Sequence, residues 1–545
     1  MLILLKIFLT NMYLYVYGRT FCDFYFKKNN NNESENAIFG TIFVSLIALI
    51  INFFLPLNKI VSTIIFVIPF FVFIKKKISK KEFWFLIKVT TIVFFFIIFS
   101  NVNRPDGGLY HLPYTQILNE NKIIIGLGNL HFRFGLVSII QYLSAINYNY
   151  IFGIQGIIIP LASLVSFILI YFFDEVLNFL KKKNNFEIND IFCLFILVYF
   201  CYKINRYSGF GNDAPAHLLY FYLISIYLKS KINFNFLKKT SLIASYAFLN
   251  KITLGLCFIF PVIIFLKLNK EKYKIFFSFS SLFILLWLIK NILISGCLIY
   301  SVEKTCINKF IWTDKSETIK QNISAEVWAK DWPNRIDNSI SQENYLKNFN
   351  WLSSWSKNHL IYILKVLIPY IIFLLVIILL IGFYKNNLSK KKFFKDTKKY
   401  YLITIVSMIG TIIFFLKFPL YRYGYSYVIT LIIFLGSSLI LKYNLVFIKK
   451  IFSYVIILSV TVLLGKQVQR IYNNYNIHNF LPNIYSFNPK IKKLELYEKK
   501  IGLDYKIFIS KKECMYSKAP CTNNFQTNIS HKEKYGYDII YVKRN

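Results

Sequence analysis

The sequence predicts an all-α polytopic membrane domain of about 14 transmembrane helices, followed by a small extracytoplasmic α/β domain. Three observations predict it. Apolar residues make up 56% of the 545 positions, while charged residues make up only 17%. The runs 83–100, 149–173, 274–293 and 359–384 approach or exceed the roughly 20 residues that cross a hydrocarbon layer. Lysines cluster in short stretches between the runs, as the positive-inside rule expects. Lipid offers no hydrogen-bond partners, so the apolar runs must be helices.

The elements follow in order. Residues 1–16 are apolar with one lysine and carry no small-residue cleavage site, which reads as a retained first helix and not a signal peptide. Placing the lysine clusters at 75–81, 181–183, 229–239, 267–274 and 390–399 inside gives helices at 3–17, 38–56, 59–74 and 83–100, then an outer segment 101–148. Within that segment, 130–146 reads as an amphipathic or re-entrant helix. Helices at 149–173, 188–203 and 214–228 come next, with an outer loop 204–213. The stretch 239–267 is basic at both ends yet too short for two full spans, so it reads as a hairpin with its tip near Asn250 and Lys251. Helix 274–293 leads to a Trp-containing outer loop, 294–358. Helices at 359–384, 401–416, 425–441 and 448–465 complete a membrane domain, 1–465. The polar remainder, 466–545, is the extracytoplasmic domain.

The net charge of +39 does not argue for nucleic acid. Only eight of the 65 basic residues are arginine, and the chain is rich in Ile, Asn, Phe and Tyr. Lysine is the default cation of such a sequence. An arginine kept against that bias points to a need for a planar, bidentate cation. Four of the eight cysteines fall outside in two close pairs, Cys297 with Cys306 and Cys514 with Cys521. Neither pair has the CxxC spacing or the neighbouring histidine that zinc prefers, and an oxidising compartment favours a disulfide in each.

Polar chemistry collects on the predicted outer side. The segments NRPDGGLYHLPYTQ, GLGNLHFRFG, NRYSGFGNDAPAHL, NKIT and KFPLYRYGYSY hold Asp106, Tyr110, His111, His131, Arg133, Arg206, Asp213, His217, Lys251 and Arg422. Three of the six histidines and four of the eight arginines lie there. These groups suit group transfer at a membrane surface. A carboxylate takes a proton from an acceptor hydroxyl or holds a divalent cation. Guanidinium and ammonium groups suit a phosphate leaving group. Gly107 and Gly108 permit a tight turn after Asp106. The plainer readings are that Asp106 and Asp213 cap helices, that His111 is an interfacial histidine, and that Lys251 snorkels.

The carboxylate in the first outer loop, the many helices and the late extracytoplasmic domain resemble the GT-C type of membrane glycosyltransferase. More closely, DGGLYHLPYTQILNENKIIIGLGNLHFRFG, KNILISGCLIY, FPLYRYGYSY and CMYSKAPCT resemble a bacterial family of GT-C-like membrane proteins. The resemblance implies a multi-pass protein of the bacterial cytoplasmic membrane. Its activity would be sugar transfer from a polyprenyl-phosphate donor to a glycan, lipid or protein acceptor on the outer face. Asp106 and His111 would be catalytic, with Asp106 also the ligand of any Mg or Mn ion. Tyr110, His131, Arg133, Arg206, Asp213, Lys251 and Arg422 would bind donor or acceptor. Many GT-C enzymes carry two adjacent acidic residues in this loop, whereas Asp106 is followed by glycine. The competing functions are a transporter or flippase of lipid-linked glycans, and a non-catalytic polysaccharide-assembly protein.

Overall fold

The computed structural model describes residues 2–27, 32–75, 77–100, 105–181, 187–204, 207, 210–211, 213–229, 231–268, 278–383, 397–440, 445–476, 494–502, 504–525 and 528–543. It is mostly helical, with two small sheets in the C-terminal region. The first two helices, Leu2–Tyr25 and Glu33–Asn52, pack so closely that a Cβ on Gly18 would lie 1.7 Å from the Asn36 carbonyl oxygen and one on Gly40 1.9 Å from that of Leu14. Glycine here lets two backbones touch, the device by which helices associate in lipid.

Five helical stretches among the described residues are long and apolar enough to cross a membrane: Glu33–Asn52, Gly153–Lys181, Leu352–Ile381, Lys398–Lys417 and Lys449–Asn474. The fourteen crossings expected from the apolar runs are not reached on that measure. The physical reason is length and charge. Asp213–Lys229 and Phe234–Asn250 have 17 residues each, or about 25 Å at 1.5 Å per residue, against a hydrocarbon layer of about 30 Å. Leu2–Tyr25 is long enough but carries Lys6, Arg19 and Asp23.

Charged pairs define one end of the bundle. Arg19 meets Glu82, Lys81 meets Glu33, Lys239 meets Glu35 and Lys229 meets Glu175. The predicted hairpin is present as helix Phe234–Asn250, a 3-10 turn Ile252–Phe258 and helix Ile259–Lys267. Its tip, Lys251, is at the opposite end.

That opposite end carries the segment expected to be a loop. Residues 107–111 form a π-turn, Leu112–Glu120 and Ile140–Ile146 are short helices, and most of their side chains are buried. The expected single helix over 130–146 is instead a 3-10 turn, Phe132–Leu136, followed by Ile140–Ile146. The helix is broken at Val137, whose backbone is extended (φ −67°, ψ 151°).

Two further corrections concern the tail. The helix Leu445–Asn474 runs past the expected boundary at 465. Arg470 holds it there: its guanidinium donates to the Phe96 carbonyl at 3.3 Å, to that of Phe95 and to the Ser100 hydroxyl. These carbonyls close the helix Lys80–Ile97, where a cation is favoured by the helix dipole. The domain beyond is not α/β among the described residues but β alone. Leu496–Ile501 and Tyr505–Ser510 pair antiparallel, Tyr505–Ser510 pairs parallel with Cys521–Thr522, and Ile529–Lys534 pairs antiparallel with Tyr537–Val542.

Candidate functional site

Asp106 begins the site. It precedes the π-turn but does not cap it. Its Oδ1 accepts from Arg133 Nη1 at 3.4 Å and its Oδ2 from Arg422 Nη1 at 3.0 Å. One carboxylate therefore bridges two guanidiniums from residues 27 and 316 positions away in sequence. Arg422, expected in a loop, lies in the first turn of the helix Tyr421–Ile440. The Arg133 guanidinium stacks over the Tyr110 ring at 4.9 Å, and that of Arg422 over Tyr423 at 5.1 Å. The Tyr423 hydroxyl also accepts from Arg422 Nη2 at 3.1 Å. A planar cation lying on an aromatic face while donating in its own plane is an arrangement lysine cannot reproduce.

Arg422 is held from behind. Its backbone carbonyl accepts from Lys251 Nζ at 2.8 Å and from His217 Nε2 at 2.9 Å. The His217 Nδ1 then takes the Ser426 hydroxyl at 2.7 Å. Lys251, the buried hairpin tip, also pairs with Asp213 and stacks over Tyr423 at 4.4 Å. The Asp213 carboxylate accepts from this ammonium. A buried ammonium needs such compensation. Lys251 is thus a holder of Arg422 as well as a nearby positive charge.

The two histidines differ in role. His111 Nδ1 faces the Gln141 amide nitrogen at 2.8 Å, so it accepts and the proton sits on Nε2. Burial holds its pKa down at about 4, so the ring is neutral near pH 7. His131 accepts the Arg133 backbone N–H through Nδ1 at 3.1 Å, and its Nε2 donates to Asn523 Oδ1 at 3.1 Å. Burial and the neighbouring Arg133 hold its pKa at about 4 as well. Both nitrogens of His131 are occupied by protein, which fits a structural contact better than direct binding of acceptor. Burial pushes the Tyr110 phenol upward, so it stays protonated.

Arg206, expected in the same cluster, lies outside the described residues. The others come together in two linked groups: Asp106, Tyr110, Arg133 and Arg422, then Asp213, His217 and Lys251. Sequence reasoning missed Gln141, Tyr423, Glu513 and Asn523. Tyr423 stands inside RYGY and was legible as an aromatic beside an arginine. Asn523 and Glu513 flank the CMYSKAPC segment, which drew notice for its cysteines and its family resemblance and not for its neighbours. Those cysteines are bonded: Cys514 to Cys521 with Cα atoms 5.9 Å apart, and Cys297 to Cys306 at 3.8 Å.

A divalent cation at Asp106 would enter a neighbourhood with more positive than negative charge. Both carboxylate oxygens already face guanidiniums. No group of three or more His, Cys, Asp or Glu is arranged to hold a metal ion among the described residues. Among the described residues the donor set is one carboxylate already paired with two guanidiniums, which does not fit a metal ion.

A family model of a domain of unknown function, DUF8201, matches residues 1–429, and the chain belongs to that family. No curated protein and no solved structure matches the chain. The matched residues contain the entire Asp106–Arg133–Arg422 cluster and end before the β-sheet tail.

Proposed function

We propose that this protein is a membrane glycosyltransferase that moves a sugar from a polyprenyl-phosphate donor to a hydroxyl acceptor on a glycan, lipid or protein. The observation that carries the proposal is the bridging of Arg133 and Arg422 by Asp106. Two guanidiniums at one end of an apolar helical bundle form a fork for a phosphate whose tail stays in lipid. A phosphate entering this fork takes over the arginines' hydrogen bonds and releases the carboxylate. The free Asp106 then accepts the proton of the acceptor hydroxyl. The acceptor oxygen bonds to the sugar's anomeric carbon, the bond from that carbon to the phosphate oxygen breaks, and polyprenyl phosphate leaves on the arginines. The neutral His111 is suited to a hydrogen bond with a sugar hydroxyl. We place the fork on the outer side of the bacterial cytoplasmic membrane, because the lysine clusters favour the other end for the cytoplasm.

The test uses the full chain in lipid nanodiscs with a panel of radiolabelled polyprenyl-phosphate sugars and membrane-derived acceptors. Transfer that depends on Asp106, Arg133 and Arg422 is the expected result. Absence of transfer from every donor, together with movement of a lipid-linked glycan across a sealed bilayer, would establish the transporter reading instead.

A further inference from the structure

The β-sheet tail does not stand apart from the membrane domain. It grips the segment 108–133 along its length. The Met515 amide donates to the Gly108 carbonyl at 2.8 Å, and the Glu513 carboxyl and Met515 sulfur lie so close to Gly108 that a Cβ there would fall 2.1 Å and 2.4 Å from them. The Tyr516 hydroxyl reaches Asn119 Oδ1 at 3.1 Å. Thr522 Oγ1 donates to the Leu130 carbonyl at 3.2 Å. Ile125 and the strand Tyr537–Val542 exchange backbone hydrogen bonds, Ile125 N to Asp538 O at 2.9 Å and Ile540 N to Ile125 O at 2.8 Å.

We infer that the disulfide-closed loop Cys514–Cys521, with Asn523 just beyond it, is a positioning element of the site, acting on Arg133 through His131. The steps are all short contacts. Asn523 Oδ1 accepts from His131 Nε2 and so leaves Nδ1 free of a proton. That nitrogen accepts the Arg133 backbone amide and fixes where the residue starts. The Arg133 guanidinium then reaches Asp106. The Met515 contact on Gly108 fixes the other side, two residues beyond Asp106. His131 is buried, so losing its Asn523 partner leaves an unsatisfied N–H with no water to replace it. The cross-link matters because the gripping residues sit on a loop of seven-residue separation that has little regular structure to hold it. Asn523 touches no reacting atom in this arrangement; it orients a residue that does. The inference deepens the proposed function and rests on that reading only for the identity of the ligand.

The test compares Asn523→Leu, Asn523→Asp and the pair Cys514→Ser with Cys521→Ser in the full chain in nanodiscs. Amide hydrogen exchange over 107–111 and 131–134 reads positioning directly, and titration with undecaprenyl phosphate reads the phosphate fork. Asn523→Leu is expected to raise exchange in both segments and to weaken undecaprenyl phosphate by about tenfold, the scale of one lost buried hydrogen bond. Asn523→Asp keeps the acceptor oxygen and is expected to retain wild-type exchange and binding. The double serine variant is expected to behave like Asn523→Leu. Unchanged exchange in Asn523→Leu, or equal loss in Asn523→Asp, would overturn the inference. If the wild-type protein fails to bind undecaprenyl phosphate, the proposed donor falls, and the exchange comparison alone still decides whether the tail positions the site.

Discussion

Replacing Asp106 with asparagine separates a catalytic role from a structural one, because the two effects differ in size. Asp106, Arg133 and Arg422 are each partly exposed, with 28, 32 and 42% of their side-chain surface open. Exposed ion pairs contribute about 0.2–1 kcal/mol each, so losing both costs the fold at most about 2 kcal/mol. The asparagine oxygen still accepts one hydrogen bond, which lowers the loss. Loss of a general base costs about 100- to 10,000-fold in rate, which converts to roughly 3–5 kcal/mol of barrier at 1.36 kcal/mol per tenfold. The expected outcome is a protein that inserts, accumulates and unfolds within about 4 °C of wild type, yet transfers sugar at least about 100-fold more slowly. The assay is transfer in nanodiscs at matched protein concentration, with thermal unfolding on the same preparation. Near-normal transfer, or a loss that follows protein amount alone, would refute the reasoning and return Asp106 to the role of an ion-pair bridge.

Further expectations concern the tail and the bundle. Gly126 has a positive φ of 71°, and a Cβ there would lie 1.9 Å from the Ile540 carbonyl oxygen. Gly126→Ala should therefore displace the strand Tyr537–Val542, seen as loss of exchange protection at Ile539 and Ile540. Glu513 is buried with one oxygen lacking a hydrogen-bond partner among the described residues, and burial raises its pKa. The docked tail therefore binds the proton more tightly than the free tail does. Docking loses stability as pH rises from the ordinary glutamate value through the raised one, so Glu513→Gln should strengthen docking at pH 7 and change nothing at pH 3, as read by exchange or limited proteolysis. Breaking Cys297–Cys306 with two serines should cost about 2–3 kcal/mol by loop entropy, checked by denaturant unfolding. Cysteines placed at Tyr535, 87% exposed, and at Lys81, 79% exposed, should label from opposite sides of sealed cells. Labelling of both from one side would invalidate the proposed orientation.

Much of this architecture was legible because apolar runs and lysine clusters are local signals. The hairpin 239–267 was readable from its basic ends and its length, and Lys251 does mark its tip. The count of full spans was over-read: the expected helix 214–228 was already shorter than a hydrocarbon layer requires, and the helix Asp213–Lys229 has 17 residues. The members of the ionic cluster were recognisable one by one as arginines and carboxylates out of keeping with their loops. Their pairing was not, because Asp106 and Arg422 meet only once the helices between them have packed. Asn523 and Glu513 carried no signal: a polar residue near the end of a lysine-rich tail obeys no periodicity. The sheet part of the expected α/β tail is present among the described residues, in strands whose burial does not alternate, so periodicity could not have placed them.

The grip of residues 513–523 on residues 108–131 also has a consequence for biogenesis. A ribosome delivers Asp106 and Arg133 to the membrane long before it delivers Asn523. The loop that carries them must wait through the insertion of every later helix, including the one that brings Arg422. Only when the final stretch has been made and Cys514 is bonded to Cys521 can the loop settle. The mature arrangement is thus a record that translation and thiol oxidation have both been completed. A chain stalled or clipped before Cys514 would carry every charged residue of the cluster and still present an unfinished surface to the lipids around it.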